Sequence, residues 1–282
     1  MSTYLDHAAT TPMAPAALEA YAAALAEVGN PSSLHTSGRR ARALVEEARE
    51  RIGSALDARP SEVIFTSGGT EADNLAVKGT FRARVAADHS RRMVIASGIE
   101  HHAVLDPIEY LVAAEGAAPS WLEPDRCGHV SVDDLTATLA RSAAQAALIT
   151  VMWANNEVGT VQPIAELAEV ARAHGVPFHT DAVQAVGHLP VSFADSGVDL
   201  MTVTAHKLGG PVGVGALLEG SVQRTGNRIR VSAQLVGASD GFHLWSETFD
   251  RVLDDIFAVQ DEIAKSVSLA MNVTLLGAAQ AA

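Results

Sequence analysis

Cysteine, lysine, basic charge and long apolar runs are all scarce in this sequence, and each shortage excludes something. The 282 residues contain one cysteine, Cys127, which rules out an internal disulfide framework and any multi-cysteine metal site. The longest apolar run, AALITVMWA at 146–154, is far too short to span a bilayer. The opening residues, MSTYLDHAATTPM, show neither a basic nor an apolar leader segment. A cytoplasmic protein is expected. Lys and Arg number 20 against 33 Asp and Glu, a formal charge of −13, so neither nucleic acid nor an anionic membrane is expected as a partner. Small acidic or zwitterionic ligands remain compatible with local sites.

What is present is apolar residues, at 48% of the chain, enough to bury the core of one large or two modest domains. Residues 14–218 alternate helical and strand-like patterns, with breakers such as GNPSS, EPDRCG and NNEVG between them. Composition predicts helices over 14–28, 39–56, 70–81, 106–116 and 163–175, where Ala, Leu, Glu and Arg dominate. Short β-branched runs predict strands over 62–67, 92–97, 146–153, 176–181 and 199–205, of the kind buried in a sheet covered on both faces. The expected fold is a large α/β domain.

After Leu218 the rhythm changes. Ile229, Val231, Ala233 and Leu235 alternate with polar residues beyond a Thr225-Gly226-Asn227 turn, a hairpin pattern. Further on, Ile256, Val259, Ile263 and Val267 lie at helical spacing within 254–271, an amphipathic helix. No Gly- or Pro-rich linker separates the two parts, and there is no internal repeat.

Only three lysines occur, Lys78, Lys207 and Lys265, and Lys207 alone ends a buried-looking strand inside a loop of small residues. Desolvation there would lower its pKa, which an amine needs in order to form a Schiff base. A lysine at a strand end can also simply face solvent. FTSGGTEADNLAVKG, 65–79, reads as a strand, a glycine turn and a helix start, where free N–H groups and the helix dipole favour a phosphate. A threonine beside a helix start is also ordinary punctuation. Asp181 ends another strand, with Gln184 three residues on; a carboxylate there sits where α/β proteins bind ligands and could pair with a protonated pyridine nitrogen, or could cap a helix. His101 and His102 follow a third strand, and either imidazole could stack on a flat ring or shuttle a proton. No carboxylate or third histidine near them shows metal-ligand spacing, so no metal is expected. Asn155 and Asn156 follow a fourth strand, as ligand contacts or as Asx-turn residues.

Together these segments carry a resemblance that none carries singly. YLDHAATTP, GNPSSLHTSGRRA, FTSGGTEADNLAVKG, EHHAVLD, NNEVGTVQPI, HTDAVQAVG and AHKLGGPVGVGAL, in that order between about Tyr4 and Leu218, resemble the cysteine desulfurases of the NifS/IscS type. These belong to the class V aminotransferases, enzymes dependent on pyridoxal phosphate (PLP). The resemblance implies the aspartate aminotransferase-like large domain, with a mixed, mostly parallel sheet between helices, over 1–218. It makes Lys207 the Schiff-base lysine and Asp181 the partner of the pyridinium nitrogen, and it places Gln184 and Asn156 beside the cofactor's phenolate. His101 would stack on the ring, and Gly69, Thr70, Thr204 and His206 would hold the phosphate. The implied reaction converts L-cysteine to L-alanine and passes sulfur to an acceptor protein, for iron–sulfur cluster or thiocofactor supply. The implied assembly is a homodimer.

Two features depart from that family. Its nucleophilic cysteine lies on a loop well beyond the lysine, in a C-terminal domain that also supplies an arginine for the substrate carboxylate; neither is found here. Cys127 precedes Lys207, in a segment resembling the family's non-catalytic connecting loop. Residues 219–282 instead resemble part of the TolB-like domain of bacterial adenylate cyclases and regulators, through LEGSVQRTGNRIRVSAQLV, GFHLWSETFDR and DDIFAVQDEIA. The sequence therefore reads as a desulfurase-like PLP protein of impaired activity. The alternatives are a non-catalytic PLP-binding or interaction remnant, and a selenocysteine lyase-like enzyme.

Overall fold

The computed structural model describes residues 3–220 in full and, beyond them, the backbone of 222–225, 228–236 and 243–252. The elements in order are α1 (Pro15–Leu25), α2 (Thr36–Leu56), β1 (Val63–Thr66), α3 (Gly69–Ala87), β2 (Met93–Ser97), α4 (His102–Glu115), β3 (Ala118–Leu122), α5 (Val132–Ser142) and β4 (Ala146–Thr150). They continue with α6 (Ile164–Ala173), β5 (Phe178–Asp181), α7 (Phe193–Ser196), β6 (Leu200–Thr204) and β7 (Gly215–Glu219).

Seven strands form one sheet in the order β1-β7-β6-β5-β4-β2-β3. The neighbours from β3 across to β6 pair in parallel, and β7 alone runs antiparallel to both its partners. This is the mixed, mostly parallel α/β sheet expected. Alternation along the strands feeds two cores. In β2, Val94 and Ala96 face α3 and α4 through Ala76, Val77, Phe81, Val104, Ile108 and Leu111. Ile95 between them joins the other core, with Leu135, Leu139, Leu167 and Ala171 of α5 and α6.

The consequence for function is geometric. The C-terminal ends of β1, β2, β4, β5 and β6 lie along one edge of the sheet, where α/β proteins bind ligands. Gly215 opens β7 on the same edge, opposite both Thr66 and Thr204. A Cβ at Gly215 would come within 2.6 Å of the Gly68 backbone carbon, and backbone cannot step aside as a side-chain tip can. Gly215→Ala is therefore expected to destabilise the protein by about 1–3 kcal/mol. Thermal denaturation beside the wild type checks this; an unchanged midpoint would mean that the glycine turn yields freely.

The elements differ from expectation in places. Strands β3 and β7 and helices α5 and α7 are absent from the sequence expectation, and β4 stops at Thr150 rather than at 153. Helix α4 starts at His102, four residues before the expected Asp106-Pro107 start, and contains Pro107. The proline forfeits one helical hydrogen bond, but burial of Val104, Pro107, Ile108 and Leu111 holds the helix together. Tertiary packing overrides the local signal.

Beyond Gly220, β8 (Val222–Thr225) and β9 (Arg228–Val236) pair antiparallel, the expected hairpin, and β10 (His243–Val252) adds an unforeseen third strand. The turn residues 226–227 and the expected helix over 254–271 lie outside the described residues. Among the described residues no helix is long and apolar enough to cross a membrane.

Candidate active site

At the C-terminal edge of the sheet a cavity of about 200 Å³ is lined by Gly69, Thr70, His101, Asn156, Asp181, Gln184, Thr204, His206 and Lys207. These are the nine residues that the family resemblance assigns to the cofactor; His102 and Asn155, the other two candidates, do not line it. Two larger hollows, of about 520 and 800 Å³, contain none of them.

Each wall has a local cause. Gly68, between β1 and α3, has φ of 156°, a region that L side chains rarely adopt. That turn lets α3 begin without a capping side chain, and its first residues, Gly69 and Thr70, line the cavity, a helix start of the kind that can bind an anion. A Cβ added at Gly69 would meet Val183 Cγ2 at 3.1 Å and Thr204 Cβ at 3.7 Å, so glycine keeps this end open. His101 is the N-cap of α4, its Nδ1 accepting from the Ala103 N–H at 3.1 Å, which fixes the ring at the cavity's lip.

The floor is charged and dry. Asp181 is 5% exposed, and its Oδ1 accepts from the Val183 N–H at 2.9 Å. Burial pushes its pKa up, while the Val183 N–H and the nearby His101 and Lys207 pull it down. Lys207 is half-buried, and desolvation lowers its pKa against the pull of Asp181 and Asp73. An amine in that state more readily sheds its proton and attacks a carbonyl carbon. Burial, and secondarily Lys207, also lowers the pKa of His206, whose Nδ1 lies 3.1 Å from Thr10 Oγ1.

The N-terminal segment straps the opening. Gln184 Nε2 donates to the Ala8 carbonyl at 2.8 Å, the Thr11 N–H donates to the His206 carbonyl at 3.0 Å, and the Ala14 N–H to the Gly209 carbonyl at 2.8 Å. Ala9 consequently lines the cavity, as do Asp73, Ala103, Met152 and Val183, none of which sequence reasoning singled out. For Asp73 a signal existed: it lies four residues after Gly69, among the buried positions Ala72, Ala76 and Val77 of α3, and an acid on an apolar face asks for an explanation. Cys127 is not in the cavity. It is exposed, in a turn where Asp125 Oδ1 accepts from the Cys127 and His129 N–H groups.

A parallel-sheet edge carrying a glycine turn at a helix start, a buried carboxylate and a desolvated lysine has the groups that a pyridoxal-phosphate site of the aminotransferase kind requires. Residues 3–224 match the family pattern described as Aminotransferase class-V, and the chain belongs to that family. Within it, the chain is similar to proteins named cysteine desulfurases. The chain is 59% identical over 215 residues to the IscS-like cysteine desulfurase of Mycobacterium tuberculosis, covering 76% of this chain and 54% of that one. It is 40% identical over 278 residues to cysteine desulfurase IscS of Dictyoglomus turgidum, covering 94% and 69%. Among solved structures, SspA in complex with cysteine superposes with a TM-score of 0.72 at 36% identity, covering 77% of this chain and 61% of that one. Against the Mycobacterium tuberculosis relative and a Bacillus subtilis one, the chain spans only about half of the relative's length, 54% and 55%.

Pyridoxal phosphate is the cofactor of this family, and the residues present fit it. The cup closed by Gly69, Thr70, Thr204 and His206 suits the phosphate, Asp181 suits a protonated ring nitrogen, and Lys207 supplies the amine.

Proposed function

We propose that this chain is the cofactor-binding part of a cysteine desulfurase-type enzyme acting on L-cysteine. The convergence of Lys207, Asp181, His101 and the Gly69–Thr70 cup on one small cavity carries the reading. When bound, pyridoxal phosphate supplies an electron sink next to the substrate's α-carbon. The chain's residues supply the rest. Thr70, Thr204, His206 and the first turn of α3 hold the phosphate, and Gln184 and Asn156 border the ring's oxygen side. His101 covers the ring. Asp181 keeps negative charge where the ring nitrogen must stay protonated. Lys207 Nζ anchors the cofactor and, once freed, moves the proton at the substrate's α-carbon.

The overall change is L-cysteine plus an acceptor thiol giving L-alanine plus the acceptor's persulfide. That acceptor is the step this chain does not furnish: its single cysteine lies on the 125–129 turn, away from the cavity. Among the described residues no arginine lines the cavity either, so a clamp for the substrate carboxylate would come from outside them. A sulfur-acceptor protein, a homodimeric partner and a cytoplasmic setting complete the proposal, as does the division into a large domain over 1–218 and a separate β unit after it. The lack of a thiol and, among the described residues, of an arginine in the cavity favours one second reading, a PLP-binding protein without turnover.

The test uses the purified full chain. After incubation with pyridoxal phosphate, borohydride reduction and peptide mapping should place the label on Lys207; no label, or a label on Lys78 or Lys265, overturns the proposal. With L-cysteine and dithiothreitol, alanine formation separates the enzyme from the non-catalytic binder. Cys127→Ser is expected to leave that rate unchanged, and its abolition by the substitution would show that the 125–129 turn reaches the site.

A further inference from the structure

Glu100 and Asn155 are both buried, and neither lines the cavity, yet each immediately precedes a residue that does, His101 and Asn156. They stand on the two loops that leave the C-terminal ends of β2 and β4. Those strands pair in parallel, and their register ends at Ala96 opposite Thr150. Beyond that pair no main-chain hydrogen bond joins the two loops among the described residues.

Side chains take over where the ladder stops. The N–H groups of Ile149, Val151 and Trp153 all donate towards β5, to the carbonyls of Pro177, His179 and Asp181, so the Met152 N–H between them faces the β2 side. A buried N–H needs an acceptor, and β2 has ended. Glu100 Oε1 supplies one at 2.6 Å. The same oxygen accepts from the Ser97 hydroxyl at 2.8 Å, and Ser97 Oγ accepts from the Ile99 N–H at 3.3 Å. At pH 7 Glu100 is the neutral acid, because burial raises its pKa to about 8 against the Met152 and Ser97 hydrogen bonds. A second tie follows three residues on: Asn155 Nδ2 donates to the Ile99 carbonyl at 3.0 Å. Asn155 Oδ1 meanwhile accepts from the Glu157 and Val158 N–H groups, each at 2.9 Å, which folds its own loop around it.

We propose that Glu100 and Asn155 are positioning residues of this site: their two ties between the loops after β2 and β4 hold His101 and Asn156 in one fixed relation, so that the cofactor ring meets both at once. The inference rests on the reading of the cavity as a pyridoxal phosphate site given above. His101 follows Glu100 directly, with its ring held by the Ala103 N–H at 3.1 Å, and Asn156 follows Asn155 directly. A displacement of either loop therefore reaches the cavity across a single peptide unit. Met152, which lines the cavity, is itself the partner of Glu100. A ligand that had to draw two untied loops together would bind more weakly by the cost of ordering them.

The test separates position from stability. In the cofactor-free, ¹⁵N-labelled full chain, the Met152 amide should exchange slowly with solvent in the wild type and in Glu100→Gln, which keeps the acceptor. It should exchange about tenfold faster in Glu100→Met, which removes it, and the His101 ring resonances should shift in that variant alone. Pyridoxal phosphate binding at pH 7, measured by equilibrium dialysis, should weaken about tenfold in Glu100→Met and in Asn155→Asp, and stay within about twofold of the wild type in Glu100→Gln. Asn155→Asp keeps the turn acceptor but sets an anionic oxygen against the Ile99 carbonyl. The visible circular dichroism per bound cofactor should fall in the same two variants, because an achiral ring is dichroic only where it is held asymmetrically. Ser196→Ala loses a buried hydrogen bond to the Phe193 carbonyl outside the cavity lining; it controls for lost stability alone and should bind as the wild type does. Should Glu100→Met not fold, Asn155→Asp carries the test. Wild-type affinity and dichroism in a folded Glu100→Met or Asn155→Asp, or an unmoved Met152 exchange rate and His101 signal in Glu100→Met, overturns the proposal. Failure of the wild type to bind pyridoxal phosphate would refute the functional reading instead, with Met152 exchange and the His101 signal still deciding whether the ties set the loops.

Discussion

Glu100→Gln is expected to stabilise the protein by about 2 kcal/mol at pH 8 and to destabilise it by about 1–3 kcal/mol at pH 4.5. Glu100 is 6% exposed, and its Oε1 accepts from the Met152 N–H at 2.6 Å and the Ser97 hydroxyl at 2.8 Å. Its Oε2 has no partner. Burial raises its pKa to about 8, opposed by those two hydrogen bonds. The folded protein therefore keeps a proton that the unfolded chain releases near 4.5. Stability from the neutral group is fully present below pH 4.5 and is lost as pH climbs towards 8, a difference of about 4 kcal/mol at the upper end. Glutamine mimics the neutral acid at every pH, but its second amide hydrogen stays unsatisfied, which takes back about 1–3 kcal/mol. Urea unfolding of both proteins at pH 4.5, 6 and 8 should show the stability curves crossing as pH rises; parallel curves would mean that Glu100 is ionised in the folded state. His179 works in the opposite direction. Its folded pKa of about 3 lies below the unfolded value, so the stability associated with the neutral ring is lost as pH falls from about 6.5 towards 3.

Lys207→Ala is expected to abolish borohydride-stable labelling and, if the wild type exchanges the α-proton of a bound amino acid with solvent, to slow that exchange by about 10²–10⁴. Lys207→Arg separates the two properties of the lysine. A guanidinium keeps the positive charge facing Asp181 and Asp73 but never deprotonates in this range, so it can neither anchor the cofactor covalently nor accept the α-proton. It should therefore retain reversible pyridoxal phosphate binding, measurable by equilibrium dialysis, while losing label and exchange as completely as alanine. Label recovered from either variant would relocate the anchoring amine. Exchange at the wild-type rate in both would mean that another group of the cavity, such as His101, moves the proton.

Much of the site was legible before the fold because it is made of local signals. The turn at Gly68-Gly69 needs residues without a Cβ, the anion cup needs an unblocked helix start, and Asp181 and Lys207 each stand at the end of a buried-type strand. Each is written within a few residues, and their order along the chain matches one family. Strand β3 was not legible: Pro119 interrupts it, and only its edge position makes that tolerable. The start of α4 was not legible either, because Pro107 reads as a helix beginning until Ile108 and Leu111 are seen packed in the core.

By itself the sequence determined the alternating α/β order, the seven motifs, the scarcity that singles out Lys207 and the absence of a second thiol. Only the tertiary structure decided that nine residues from separate segments share one cavity, that Ala8 and Thr11 strap it, and that Cys127 stands apart. It alone also buried Asp73 in the cavity wall and Glu100 and His179 behind it, out of contact with water. The reason is physical: a motif fixes the chain's local conformation over a few residues, but burial and the pKa shifts it causes depend on what packs from distant segments. For Asp73, His179 and Asp181 lie more than a hundred residues away along the chain and come near it because β5 and β6 lie side by side under α3.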